Sequence, residues 1–472
     1  MEFNSLGIKK FIFITGSSGR EKLMVKIAKE LTKSYKSDCH FLSLAAGNTK
    51  DFFISERIDE ERVYCVHNEL NKKNKLDLEF LRNREEKYGF NLFDLWQIAA
   101  PRRKSRLKIK GDKILSDMEY ILRNVENVVS NVKPDYVFMT GISAYQYVIC
   151  YKIFNEKKIP VLELVNARIP GKFTFDNELK SKWPLLVKCY NQVKKEGLDE
   201  NEREKAQIFL DNFKNKPFKP DDSTKVKESF RKKAKKYNSY VKTLYYRKCL
   251  PDLRPFFWYP LKDRLIKNSS RFEQPVGGEK FVFFPLQIQP EASTSIRGKW
   301  FSNQLSLIEN ISRSLPCNYK LYVKEHVRNF SKRPFRFHKE IKKFPNVRLI
   351  TPFAKTIDLI KKSSLVTTIT GTVGWEAVIL QKPVITFGEV FYNVFDEVDE
   401  LSEISKLPML IEKKLGKVVD IEKTLQFISS IQNSTFKGVG ALPGDCQNRS
   451  IDDENIVNII KGIEKYISRM GI

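Results

Sequence analysis

The feature that most constrains this chain is a repeated change of hydrophobic period. In KKFIFITGSSGREKLMVKIAKELTKSYKSDCHFLSL a short apolar run turns at Gly16–Gly19, continues with helical spacing at Leu23, Ile27 and Leu31, and returns to an apolar run at Phe41–Leu44. Runs too short for a core helix, alternating with amphipathic helical stretches, define a βαβ unit. A second unit lies in VKPDYVFMTGISAYQYVICYKIFNEKKIPVLELVNARIPG, where Pro134-Asp135 introduces a strand and Gly141 a turn. Its apolar stretch Tyr136–Phe154 nearly reaches membrane-spanning length, but Gly141, Ser143, Gln146 and Lys152 interrupt it. The expectation there is a buried strand, turn and helix. Such alternation predicts a parallel, doubly wound sheet with ligands at the carboxyl ends of its strands.

From about Asp176 to Gly278 the strand signals fade into lysine-rich helical sequence that interleaves Tyr237, Tyr240, Tyr245, Tyr246 and Phe256 to Tyr259 with basic residues. They resume in KFVFFPLQIQPE, YKLYVKEH, NVRLITP, SLVTTITGT and KPVITFGE. The expected organisation is an N-terminal Rossmann-like α/β domain over 1–175, a basic helical segment over 176–278, and a second Rossmann-like domain over 279–449. An amphipathic helix over 450–472 completes it.

The 84 lysines and arginines outnumber the 57 acidic residues, giving a formal charge of +27 over 472 residues. A balance this basic fits an anionic partner: a nucleotide, a lipid headgroup surface, nucleic acid or an acidic glycan. No nucleic-acid recognition motif accompanies the charge, so no specific nucleic acid is expected. In the middle segment, basic and aromatic residues together suit either a solvated helical face or docking on an anionic membrane. Seven scattered cysteines without metal-ligand spacing fit a reducing cytoplasm, and the short N-terminal apolar run reads as a strand, not an export signal.

Three strand ends carry candidate chemistry. In TITGTVGWEAVIL a buried strand passes into a helix through Thr370, Gly371 and Thr372, a turn suited to an anion by its amides and helix dipole. Glu376 lies about one turn further on the same face, placed to accept from ribose hydroxyls or simply to complement the dipole. In YKLYVKEH, Lys324 and His326 could bind phosphate or protonate a leaving oxygen. In FPLQIQPEASTSIRG, Gln287, Gln289, Glu291 and Arg297 crowd one loop, with Glu291 a candidate base or nucleophile and Arg297 a candidate anion ligand. The first domain offers Glu163, Asn166 and Arg168 at a strand end for an acceptor. Its TGSSGREK lacks the full ending of a phosphate loop.

Together FPLQIQPEAST, LYVKEH, TITGTVGWEAVILQKPVITFG and FYNV resemble the ordered signature of the capsule polysaccharide biosynthesis family. The resemblance implies a two-domain GT-B glycosyltransferase of bacterial surface glycans, related to Kdo transferases. It further implies donor phosphate held by His326 and the Thr370–Thr372 turn, ribose held by Glu376, and Glu291 as the catalytic carboxylate. Gln289, Arg297 and Lys324 complete the expected donor site. Val327 stands where the family has proline after the histidine, and Pro290-Glu291 where Kdo transferases tend to have an aspartate. The expected ligands are a CMP- or UDP-sugar and a glycan or lipid-linked acceptor, with neither metal nor cofactor. The expected location is the cytoplasm, including the inner membrane face. A nucleotide-sugar epimerase or hydrolase fits the same architecture, and the charge alone leaves a nucleic-acid-binding protein as a further reading.

Overall fold

The computed structural model describes residues 9–16, 20–44, 49–66, 76–99, 111–142, 144–177, 179, 181–217, 271–289, 291–327, 329, 333–442 and 447–472. The aromatic and basic run from Tyr237 to Tyr259 lies outside them, as do Ser17–Gly19 of the glycine-rich first turn.

Among the described residues thirteen strands form two sheets. Seven belong to the first: Lys10–Thr15 (β1), Asp38–Ser43 (β2), Val63–Cys65 (β3), Tyr136–Met139 (β4), Val161–Asn166 (β5), Lys172–Asp176 (β6) and, much later, a two-residue strand. The second is built from Phe281–Pro285 (β7), Lys320–Lys324 (β8), Val347–Ile350 (β9), Leu365–Thr368 (β10), Val384–Thr386 (β11) and Val398–Glu400 (β12). The two-residue strand is Phe436–Lys437 (β13). The first sheet has the order β13-β6-β5-β4-β1-β2-β3 and the second β12-β11-β10-β7-β8-β9. All pairings of the second sheet are parallel, while β6 and β13 are antiparallel additions to a parallel first sheet. This is the pair of doubly wound, largely parallel α/β sheets expected from the alternating periods.

Alternation within the strands assigns their residues to two faces. In β1, Ile12 and Ile14 join the core under the helices Gly111–Val132 and Tyr145–Glu156, while Phe11 and Phe13 join the core on the opposite face. In β7, Phe281 and Phe283 point one way and Val282 and Phe284 the other, and all four are buried. Burial on both faces is why these strands read as continuous apolar runs. The Tyr136–Phe154 stretch is β4 followed by the helix Tyr145–Glu156. Among the described residues no helix is long and apolar enough to cross a membrane.

The chain returns to the first sheet before its end. The helix Ile421–Asn433 packs on the helices Pro184–Glu196 and Glu200–Asn215. Next, β13 pairs with β6, and the helix Asp453–Met470 lies against Glu21–Tyr35. The sheet therefore places Phe436–Lys437 with the first lobe, although the sequence pattern runs the second domain on to 449. Trp183 and Phe391 stack between the lobes with ring centres 3.9 Å apart.

Candidate functional site

Counting its strands from one, the second sheet has the order 3-2-1-4-5-6, so the order reverses between β7 and β10. A crevice opens at such a switch point, outside the carboxyl ends of the strands, because the flanking connections leave in opposite directions. The loops after β7, β8 and β10 meet at this place, and they carry the three motifs.

Glu325 organises them. Its carboxylate is wholly buried and accepts from Arg333 Nε at 2.9 Å, His338 Nε2 at 2.9 Å and the His326 backbone amide at 2.7 Å. Burial alone would raise its pKa, but these donors and the guanidinium charge hold it below the usual carboxylate range. Arg333 also donates to the carbonyl of Gln287. The side-chain amide of Gln287, in the orientation its neighbours satisfy, accepts from the amides of Thr370 and Gly371 at 2.9 and 2.7 Å. Gln304 braces the same residue, accepting from the Gln287 amide at 2.7 Å and donating back to its carbonyl at 3.1 Å.

This arrangement corrects one expectation. Two amides of the Thr370–Thr372 turn are taken inside the protein by Gln287, so they do not point as free donors into the cleft. The turn still starts a helix, Thr372–Ile379, and Thr370 and Thr372 are half-buried at its positive end. Its glycines are required by close packing. A Cβ at Gly371 would lie 2.8 Å from Thr368 Oγ1, and one at Gly374 would lie 2.3 Å from Tyr392 Oη. Tyr392 Oη in turn donates to the Gly371 carbonyl at 2.6 Å.

Glu376 sits one turn into this helix. Burial pushes its carboxyl up to about 7, opposed by the charges of Arg168 and Lys324. Lys324, at the end of β8, is buried, and burial draws its pKa down against the attraction of Glu325 and Glu376. Arg168 follows β5 of the first lobe, so Glu376, Lys324 and Arg168 form one electrostatic group across the cleft.

Glu163 lies within β5, not at its end. It is buried, its Oε1 accepts from the Ile142 amide at 3.2 Å, and its Oε2 has no hydrogen-bond partner among the described residues. Burial raises its pKa, while Arg297 from the second lobe and Arg20 from the first lower it. Arg297 Nε donates to the Leu179 carbonyl at 3.4 Å, and Arg20 donates to the Thr140 carbonyl. Asn166 spends its amide on the C-terminal segment, accepting from Gly440 N at 2.7 Å and donating to Ala441 O at 3.2 Å. Gln289 donates to the Ser302 carbonyl. Glu291 is exposed, its carbonyl opening the short helix Ala292–Ser295, and His326 is half-buried.

Arg333, His338 and Gln304 carry no motif of their own, and Arg20 stands in the incomplete TGSSGREK loop. They are 8, 13, 17 and 120 residues from the groups they serve, and only folding shows the pairing. Among the described residues no group of three or more His, Cys, Asp or Glu side chains is arranged to hold a metal ion.

Residues 221–397 match the family described as capsule polysaccharide biosynthesis protein. Protein FixF of Sinorhizobium fredii (strain NBRC 101917 / NGR234) is 28% identical over 174 residues, which are 35% of this chain and 41% of FixF. The chain therefore spans less than half the length of that curated relative. Among solved structures, Thermosulfurimonas dismutans KpsC, beta Kdo 2,7 transferase, overlaps 72% of this chain and 89% of its own, with TM-score 0.39 and 13% identity. The UDP-GlcNAc 2-epimerase from Neisseria meningitidis bound to UDP-GlcNAc overlaps 97% of this chain and 100% of its own, with TM-score 0.30 and 13% identity.

Proposed function

We propose that the protein, whose residues 221–397 match the capsule polysaccharide biosynthesis family, is a glycosyltransferase that moves a sugar from a CMP- or UDP-linked donor to a surface-glycan or lipid-linked acceptor. The observation that carries this reading is the convergence of three strand-end motifs at the β7/β10 crevice, fastened together through Glu325, Arg333 and Gln287. A site that must hold a nucleotide in one orientation needs its loops fixed before the ligand arrives.

In this reading the helix end at Thr372, with His326 and Lys324, receives the donor phosphates, and Glu376 receives the ribose hydroxyls. As the sugar leaves, negative charge grows on the phosphate. The helix dipole and the Lys324 and Arg168 cations offset it, so the reaction proceeds without a bound metal. His326 protonates the leaving oxygen, and Glu291 acts as base or nucleophile on the acceptor side. Arg297 and Gln289 shape the donor end where it borders the acceptor, and Glu163 and Arg168 belong to the acceptor lobe. The basic segment outside the described residues would bring the enzyme to the cytoplasmic membrane face.

A thermal-shift titration with CMP, UDP and GDP tests the reading. A rise in melting temperature with one pyrimidine nucleotide is expected; no rise with any of the three rejects a nucleotide-sugar site. Sugar released or isomerised without an acceptor would instead identify a hydrolase or epimerase.

A further inference from the structure

We infer that a cavity between the lobes, walled by Trp300, is a binding subsite for an uncharged sugar ring of the glycan acceptor. The cavity is about 590 Å³ and is lined by Asp94 and Gln97 from the first-lobe helix Leu92–Ala99 and by Gln289, Lys299, Trp300 and Ser302 from the second lobe. Apart from Gln289, these residues belong to no sequence motif.

Trp300 is 84% exposed, although an indole is among the side chains that gain most from leaving water. It is not displayed by a loose loop. It occupies the 3-10 turn Lys299–Phe301, whose Phe301 packs against Phe387 with ring centres 5.6 Å apart. Ser302 Oγ closes the turn by donating to the Lys299 carbonyl at 2.9 Å. The Lys299 ammonium lies 4.9 Å from the Trp300 ring centre and 2.7 Å from Asp94 Oδ2. The indole therefore carries a cation beside it and stays largely exposed where it lines the cavity.

The chemistry of the walls selects the ligand. Carboxamides, a carboxylate and a hydroxyl offer donors and acceptors to a ring rich in hydroxyl groups. The electron-rich indole face takes the polarised C–H side of the same ring. Because Lys299 is matched by Asp94, the walls formed by the described residues carry no excess of the positive charge that a phosphate or sugar acid would need. A lipid chain would find too many polar groups to desolvate. The place also suits an acceptor: the cavity touches both lobes, and Gln289 and Ser295, both at its wall, bracket Glu291 in sequence. Naming the ligand an acceptor rests on the glycosyltransferase reading; the sugar subsite itself does not.

The test is saturation-transfer NMR on the full chain with maltotriose, chitotriose and mannotriose as probes, and with CMP and UDP in parallel. At least one trisaccharide should receive saturation at its ring C–H protons. Trp300→Ala should weaken that binding about fivefold or more, and Trp300→Phe should retain most of it, in line with the loss or retention of an aromatic contact. Nucleotide signals should be equal in the three proteins. A trisaccharide signal independent of Trp300, or no signal from any of the three, overturns the inference and leaves the nucleotide reading standing. A Trp300-dependent sugar signal without nucleotide binding supports the subsite and removes the transferase reading. Trp300-dependent sedimentation with anionic vesicles, without sugar binding, would overturn the inference in favour of a membrane contact.

Discussion

Arg333 Nε stands 2.9 Å from Glu325 Oε2, and both side chains are almost completely withdrawn from solvent. The same guanidinium holds the Gln287 carbonyl. This one cation therefore fixes the ends of β7 and β8 to each other and, through Gln287, to the turn after β10. Replacing Arg333 by Met should leave the buried Glu325 carboxylate without its guanidinium, with only His338 and the His326 amide as donors, and cost about 3 kcal/mol. The double variant Glu325→Gln, Arg333→Met should recover a large part of that loss, since it removes both charges. Thermal denaturation of the single and double variants checks this; equal melting temperatures would show that the pair is not a buried charge unit.

Gly374 should tolerate no side chain while Tyr392 is present. A methyl group there meets Tyr392 Oη at 2.3 Å and Cζ at 2.6 Å, so Gly374→Ala must push the helix Thr372–Ile379 or the ring aside. Overpacking of this kind costs about 1–3 kcal/mol. Because Tyr392 Oη also holds the Gly371 carbonyl, nucleotide affinity should fall with stability, and adding Tyr392→Leu should restore part of the stability. A melting temperature unchanged in Gly374→Ala would contradict the packing.

Glu376 gives the site a pH dependence near neutrality. Burial raises its carboxyl to about 7 against the opposing charges of Arg168 and Lys324, whereas the unfolded chain has an ordinary carboxyl near 4.5. The folded protein thus binds more protons between these values. The stability associated with the protonated group is present below about 4.5 and is lost as pH rises through about 7. If the ionised carboxylate holds the ribose, nucleotide affinity should instead increase between about pH 6 and pH 8. Calorimetric titrations across that range should show the rise in wild type and a flat profile in Glu376→Gln. Arg168→Met, lacking an opposing cation, should move the midpoint upward. A wild-type profile as flat as that of Glu376→Gln would remove Glu376 from ribose binding.

Glu291 is the proposed carboxylate on the acceptor side. Glu291→Gln keeps the size of an exposed side chain and should leave melting temperature and nucleotide binding nearly unchanged. Transfer to the acceptor should fall by about 10²-fold or more. Turnover equal to wild type would take Glu291 out of the chemistry.

Much of this protein was legible in its sequence because burial on both faces of a parallel sheet produces short, nearly unbroken apolar runs. From these came β1, β2, β4, β5 and the first five strands of the second sheet. Strands that lie at edges or pair antiparallel, such as Lys172–Asp176, Val398–Glu400 and Phe436–Lys437, are too short or too mixed to announce themselves. The return of β13 to the first sheet was equally hidden, since strand pairing over 260 residues leaves no local pattern. Lys324, Glu376 and the Thr370–Thr372 turn were recognisable because motifs at strand ends are local in sequence. Their grouping with Arg168, the capture of the Thr370 and Gly371 amides by Gln287, and the roles of Arg333 and His338 were decided only in three dimensions. The physical reason is that a buried carboxylate or amide must be satisfied by whichever donors the folded chain brings to it, however distant they are along the sequence.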